Sequence, residues 1–229
     1  MRYIKSMKLP TKTIERKLFR KGYTHVVAVD EVGMGSLAGP VVVCAVVFTK
    51  KFFQKEHKNL HWIRDSKLLL PHKRKIYSDE LKGERVRYQL GYCFPKTIDK
   101  LNIYQAARVA MRRAIEKLEV PLKKTYLLVD GNKKIRGILL KQQPIIKGDR
   151  KVFSIACASV IAKVFRDKMM VRYAKRFPGY GFEKHKGYGT KLHKAQLSIL
   201  GPTPIHRRSF ARLSFWTKED PRPWASPKI

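Results

Sequence analysis

Acid is what this sequence has least of. Only 17 Asp and Glu stand against 51 Lys and Arg, a formal net charge of +34 over 229 residues. Cysteine is almost as scarce. Cys44, Cys93 and Cys157 are the only three, far apart and mostly among apolar residues, which argues against a disulfide frame or a zinc site and for reduced core residues in a cytoplasmic protein. Long apolar runs are missing too. The longest, "VVVCAVVF", is far short of the roughly eighteen residues a membrane span needs, so no membrane association is expected. The N-terminus, "MRYIKSMKLPTKTIERKLFRKGY", is basic but has neither an apolar stretch nor a small-residue cleavage site, and export is not expected. No internal repeat or low-complexity tract interrupts the chain.

What is there is charge of one sign along the whole length, and the natural partner for it is a polyanion. A membrane surface fits less well, because no single basic amphipathic segment dominates. The apolar fraction of 44% is ordinary for a globular chain. One sizeable core is expected, divided as a basic segment 1–22, a core 23–176 and a helical or looped appendage 177–229.

The stretch "VVAVDEVGMG", Val26 to Gly35, runs a buried-type strand into two adjacent carboxylates and a glycine pair. His25–Val29 and Val41–Phe48 read as strands joined by the turn "GSLAGP". In "RVRYQLGYCF", Val86, Tyr88, Leu90, Tyr92 and Phe94 alternate on one face as a third strand. Residues 97–118 keep helical spacing at Leu101, Ala107, Met111 and Ile115, with Thr97 and Asp99 at the front as a start signal, and predict one long helix. "TYLLVDGN" reads as a strand ending on Asp130 and "QPIIKGDR" as a short strand ending on Asp149. A small-residue helix follows, "SIACASVIAKVFRDKMM", whose Ala156, Ala158 and Ala162 allow close approach to a sheet.

Three strands therefore end on carboxylates: Asp30 with Glu31, Asp130, and Asp149. Strand ends at one edge of an α/β sheet converge, so residues a hundred positions apart can meet there. Four gathered carboxylates repel one another unless cations sit between them, and hard divalent ions, Mg²⁺ or Mn²⁺, suit oxygen ligands. Each acid alone is equally a solvated strand end or a helix cap; the argument rests on the set. His185, His193 and His206 match no zinc spacing and are expected in surface or packing roles.

Taken together and in order, "VDEVGMGSLAGPVV", "RDSKLLLPHKR", "IDKLNIYQAARVAMRRAIEKL", "LLVDGN", "IIKGDRKVFSIACASVIAKVFRD" and "FPGYGFEKHKGYGT" through "HRRSF" resemble ribonuclease HII, the type 2 ribonuclease H family. The resemblance runs from about Tyr23 to Phe210. It implies an α/β ribonuclease H-like fold, a mixed five-stranded sheet flanked by helices, with a small helical C-terminal appendage. It implies an endonuclease that hydrolyses the RNA strand of RNA–DNA hybrids and cuts at ribonucleotides embedded in DNA, with two divalent ions, Mn²⁺ or Mg²⁺, held by Asp30, Glu31, Asp130 and Asp149. Tyr188 falls on the family's tyrosine that lies against the sugar at an RNA–DNA junction. Asp65, Ser66 and Lys67 fall on an element that touches substrate backbone, and Gly33, Met34 and Gly35 on a loop that reads the ribose 2′-hydroxyl. Here the chain departs from the family's Gly-Arg-Gly: Met34 removes a positioned charge that a thioether cannot replace. A monomer is expected. The competing readings are a non-catalytic hybrid-binding protein, which predicts a broken acidic set, and another nuclease of the same superfold such as a junction resolvase or a type 3 ribonuclease H.

Overall fold

The computed structural model describes residues 9–84 and 86–210. Five strands form one mixed sheet in the order β3-β2-β1-β4-β5, with β1 His25–Val32, β2 Val41–Thr49, β3 Arg87–Cys93, β4 Thr125–Asp130 and β5 Lys141–Ile145. β1, β2 and β3 are antiparallel neighbours, whereas β4 and β5 run parallel to β1. The helices are α1 Thr13–Arg20, α2 Lys50–Gln54, α3 Pro71–Gly83, α4 Pro95–Leu101, α5 Ile103–Glu116, α6 Phe153–Arg176, α7 Phe182–His185 and α8 Lys191–Leu200. No helix among the described residues is long and apolar enough to cross a membrane.

Strand alternation assigns the two faces of the sheet. Val27, Val29, Leu127 and Val129 face a core closed by α5 through Ala106, Ala110 and Ala114. Val26, Ala28 and Leu128 face the opposite core, closed by α6 through Ile155, Ala158 and Ala162. β1 and β2 are buried on both sides, which is why they read as unbroken runs of valine and alanine and not as alternating strands. The first eleven residues of α6 are all buried, as its small side chains allow. Cys44, Cys93 and Cys157 are free thiols in these two cores. A third, smaller core, with Ala38, Met170, Tyr180, Phe182, Leu197 and Ile205, joins the C-terminal segment to the loop after β1.

Three local expectations change. The single helix over 97–118 is two helices: Asn102 adopts φ 65° between α4 and α5, and its side chain accepts the Gln105 N–H to start the second. Asparagine tolerates positive φ and caps well, so it outweighs the continuous apolar spacing. β1 does not stop before its carboxylates but carries Asp30 and Glu31 within it, paired with Cys44 and Val43 of β2. Asp149 ends no strand; it lies on a tight turn, Gly148–Arg150, beyond β5.

Candidate active site

Register brings the first two carboxylates together. Val29 of β1 partners Val129 of β4, and the parallel pairing ends there. Asp30 and Asp130 are thus the next residues on adjacent strands and emerge on the same face, toward α6. Glu31 follows on the other pleat, and its longer side chain still brings a carboxylate oxygen into the group: one oxygen each from Asp30, Glu31 and Asp130 lie within 4.8 Å of one another. Asp149 stands outside this tight set. The four acids expected at strand ends are therefore two within the last paired residues of β1, one ending β4 and one on a turn. That turn is nonetheless fastened to the cluster, because the Gly148 N–H donates to Asp130 Oδ1 at 2.6 Å. Glycine lets the turn come this close: a Cβ at 148 would stand 2.6 Å from Ile155 Cδ1 and 3.1 Å from Asp130 Oδ1, so the neighbouring side chains would have to shift.

The protein alone leaves the charges of this group uncompensated. Asp30 is 4% exposed, and burial, then the charges of Glu31 and Asp130, push its carboxyl well above the usual range. Burial and Asp130 push Glu31 to about 7 against the opposing charge of Lys67. Asp149 rises to about 6 through burial and the charges of Asp65 and Asp130, opposed by Lys67 and Arg150. Crowded oxygen donors, with Asp30, Glu31 and Asp149 held partly protonated by burial and then by mutual repulsion, are a set that fits hard divalent cations. Among the described residues this is the one group of acids, histidines and cysteines so placed.

The remaining candidates lie around this cluster in different ways. Lys67 is exposed, and its charge reaches both Glu31 and Asp149. Ser66 is instead 2% exposed, its hydroxyl 2.9 Å from that of Ser159, which hydrogen-bonds Asp30. The two hydroxyls and the Asp30 carboxyl thus form one chain, which steers Asp30. Asp65 is likewise buried: Oδ1 accepts the Lys67 N–H at 2.9 Å, while Oδ2 accepts from Arg150 at 3.0 Å. The resemblance sets all three residues of this element against substrate backbone; two of them face inward, Asp65 holding Lys67 and the Asp149 turn in place and Ser66 meeting Ser159.

Gly33 takes φ +93° against the Arg166 side chain, a contact any Cβ would violate. Met34 packs its half-buried side chain against the α5-side core, and Gly35 is open, with nothing within 4 Å of where a Cβ would stand. Two buried arginines that sequence reasoning misses hold this loop. Arg166 donates to the carbonyls of Pro40, Lys186 and Ala38, and Arg207 to those of Gly39 and Met34, at 2.9–3.1 Å. In a chain with 51 basic residues, no sequence signal separates these two from the rest.

Tyr188 is half-buried, bridged to Ser36 and stacked near Arg166 and Lys163, 5.4 and 5.5 Å from its ring centre. Its carbonyl is the end of a histidine chain. The Thr203 N–H donates to His206 Nδ1 at 2.9 Å, which leaves the His206 proton on Nε2, facing His193 Nε2 at 3.1 Å. His193 Nδ1–H then donates to the Tyr188 carbonyl at 3.0 Å. His185 stacks on His193 at 4.3 Å, its Nδ1 accepting from Gly187 N–H and its Nε2 donating to the Tyr180 carbonyl. Of the two roles expected for these histidines, packing is the one they have.

The comparisons with known proteins address the family and the fold. The family model described as Ribonuclease HII matches residues 27–218. A protein named Ribonuclease HII from Caldicellulosiruptor bescii is 45% identical over 199 residues, 87% of this chain and 92% of its own length. Its namesake from Bacillus licheniformis is 44% identical over 87% of this chain and 74% of its own. Among solved structures, the ribonuclease H2 from Pyrococcus horikoshii OT3 superposes with TM-score 0.67 at 24% identity, covering 81% of this chain and 93% of that one.

Proposed function

The chain belongs to the ribonuclease HII family, endonucleases that cut RNA in RNA–DNA hybrids, and on that premise we propose that cleavage takes place at the carboxylates of Asp30, Glu31 and Asp130 with Asp149 beside them. The observation that carries this is the convergence of three carboxylate oxygens within 4.8 Å at the open end of β1 and β4, in a chain otherwise so short of acid. Their hard oxygen donors fit two divalent ions, Mn²⁺ or Mg²⁺, with Asp149 completing the second site. Bound there, such ions supply Lewis acidity to an attacking water and to the leaving 3′-oxygen of an in-line displacement at phosphorus. The products are a 5′-phosphate and a 3′-hydroxyl.

The chain's own residues prepare the site. Ser66 and Ser159 fix one oxygen of Asp30, and Gly148 fixes one of Asp130, so neither carboxylate has to reorganise as charge develops. Asp65 orients Arg150 and, through a backbone hydrogen bond, the turn bearing Lys67, which leaves that ammonium free to meet a phosphate. Gly33, Met34, Gly35 and Tyr188 line the approach to ribose, the loop held from inside by Arg166 and Arg207. In this reading the substrate includes ribonucleotides embedded in DNA as well as continuous hybrid. The complete acidic set lies on one polypeptide, which supports action as a monomer, and three free buried thiols suit the reducing cytoplasm.

The test is cleavage of a duplex with one embedded ribonucleotide beside a fully hybrid duplex, each with Mg²⁺ or Mn²⁺. Incision at both, with 5′-phosphate ends and none after chelation of the ions, is expected. Cutting that persists in chelator contradicts the assignment.

A further inference from the structure

One turn of α6 beyond Ser159, an open groove of about 600 Å³ begins, lined by α3, the second half of α6 and α7. It is joined to the carboxylate site at two points. Tyr188 lines it, and Arg74, in its wall, donates to the carbonyls of Ser66 and Leu69 in the turn that bears Lys67. The acid in its lining, Asp167, is already engaged by Lys163 at 2.7 Å and Arg74 at 3.3 Å. Lys168, Arg172 and Lys175 from α6 and Lys184 from α7 line the same groove and have no ion-pair partner among the described residues.

The spacing of these cations has a length. From Lys168 to Lys175 an α-helix rises about 10.5 Å, which matches the axial span of roughly three base pairs at 3.4 Å each. A small ligand needs no such ladder, and a neutral partner would leave four cations uncompensated. Resting on the function proposed above, we propose that this groove is the track for one duplex arm of the substrate: a nucleic-acid backbone entering past Tyr188 lays about three or four successive phosphates along Lys168, Arg172, Lys175 and Lys184. Base sequence is not read, because the groove presents ammonium and guanidinium groups over an apolar floor that includes Val164 and Val171.

The experiment measures binding of the full chain, without divalent ions, to duplexes with one embedded ribonucleotide whose two arms are lengthened in turn by about six base pairs. Lengthening the arm that meets the groove should tighten wild-type binding roughly ten- to hundredfold at low salt and steepen the log–log salt slope by about 3 to 3.5. K168Q/R172Q/K175Q should lose that gain. A control, K17Q/R20Q/K21Q, removes equal charge from α1 at the opposite end of α6 and should keep it. The proposal is overturned if the groove variant retains the arm-length gain, if the control loses as much, or if the groove variant is impaired for poly-glutamate and not for the longer arm. Cleavage is scored separately: a wild-type protein that leaves every hybrid intact refutes the function, while the arm-length dependence of binding still decides the groove.

Discussion

Two buried clusters of titratable groups lie within this fold, and they are built on opposite principles. The histidines 185, 193 and 206 form a closed network in which every ring proton has an acceptor and every bare ring nitrogen a donor. The carboxylates 30, 31 and 130 crowd together with like charge facing like, and among the described residues no cation forms an ion pair with any of them. Burial lowers His193 to about 4 and His206 to about 3, keeping both neutral, whereas burial and repulsion raise Asp30 and Glu31. A cluster complete in itself is architecture; one left incomplete has a place for something the protein does not carry.

The largest way to break that contrast is at the acids. Asp30→Asn or Asp130→Asn should lower kcat by at least about a thousandfold, some 4 kcal/mol of transition-state stabilisation, while far-ultraviolet circular dichroism and hybrid binding stay close to wild type. Near-native turnover in either variant would remove the cluster from the chemistry.

The second break is at the histidines, and it should appear in stability. His206→Ala strands the Thr203 N–H and opens a cavity beside Phe182, so a loss of about 3 kcal/mol is expected, read as a fall of about 6–12 °C in Tm. The network also predicts acid lability with a definite sign. Both folded-state values lie below the ordinary 6.5, so protonation favours the unfolded chain, and stability should decline as pH falls from 6.5 toward 4 and below. Chemical denaturation of wild type beside His206→Ala at pH 7, 5.5 and 4.5 measures it; a stability gap between the two that does not shrink toward pH 4.5 would mean the rings are not held neutral.

How far these features can be read from the sequence depends on what fixes them. The sheet is legible because valine and alanine runs, turn glycines and the period-two strand are local signals, and Asp30 and Asp130 converge simply because both strands are parallel and in register. Asp149 is misplaced by sequence because "QPII" looks like a strand running to its end, whereas Lys147 turns left-handed at φ 55° and begins a tight turn. The break at Asn102 is hidden by unbroken apolar spacing. Ser66 and Asp65 look like substrate contacts, yet whether a polar side chain points outward is decided by partners 93 and 85 residues away, Ser159 and Arg150. Arg166 and Arg207 are invisible for the same reason: their partners are backbone carbonyls, which every residue has.

The smallest expected effect concerns Met34. An arginine there must leave the core patch that holds the thioether, but it restores a charge to the loop proposed to line the approach to ribose. Met34→Arg should raise the ratio of kcat/KM for a single embedded ribonucleotide over that for long hybrid by about tenfold, near 1.4 kcal/mol. An unchanged ratio would assign the discrimination to the loop backbone and Tyr188.

The contrast between a complete and an incomplete cluster is tested most directly by melting the ion-free protein between pH 5 and pH 8, with and without Mn²⁺, beside Glu31→Gln. Glu31 titrates near 7 in the fold and near 4.5 when exposed, so its ionisation favours the unfolded chain; the histidines act alike in both proteins, and wild-type Tm should drop relative to that of Glu31→Gln as pH rises through this window by an amount worth about 2 kcal/mol, some 4–8 °C. Mn²⁺ should restore the loss at pH 8, and Glu31→Gln should melt higher than wild type without ions and gain less from them. A gap between the two proteins that does not widen toward pH 8, with a wild-type Tm that does not respond to Mn²⁺, would contradict the account.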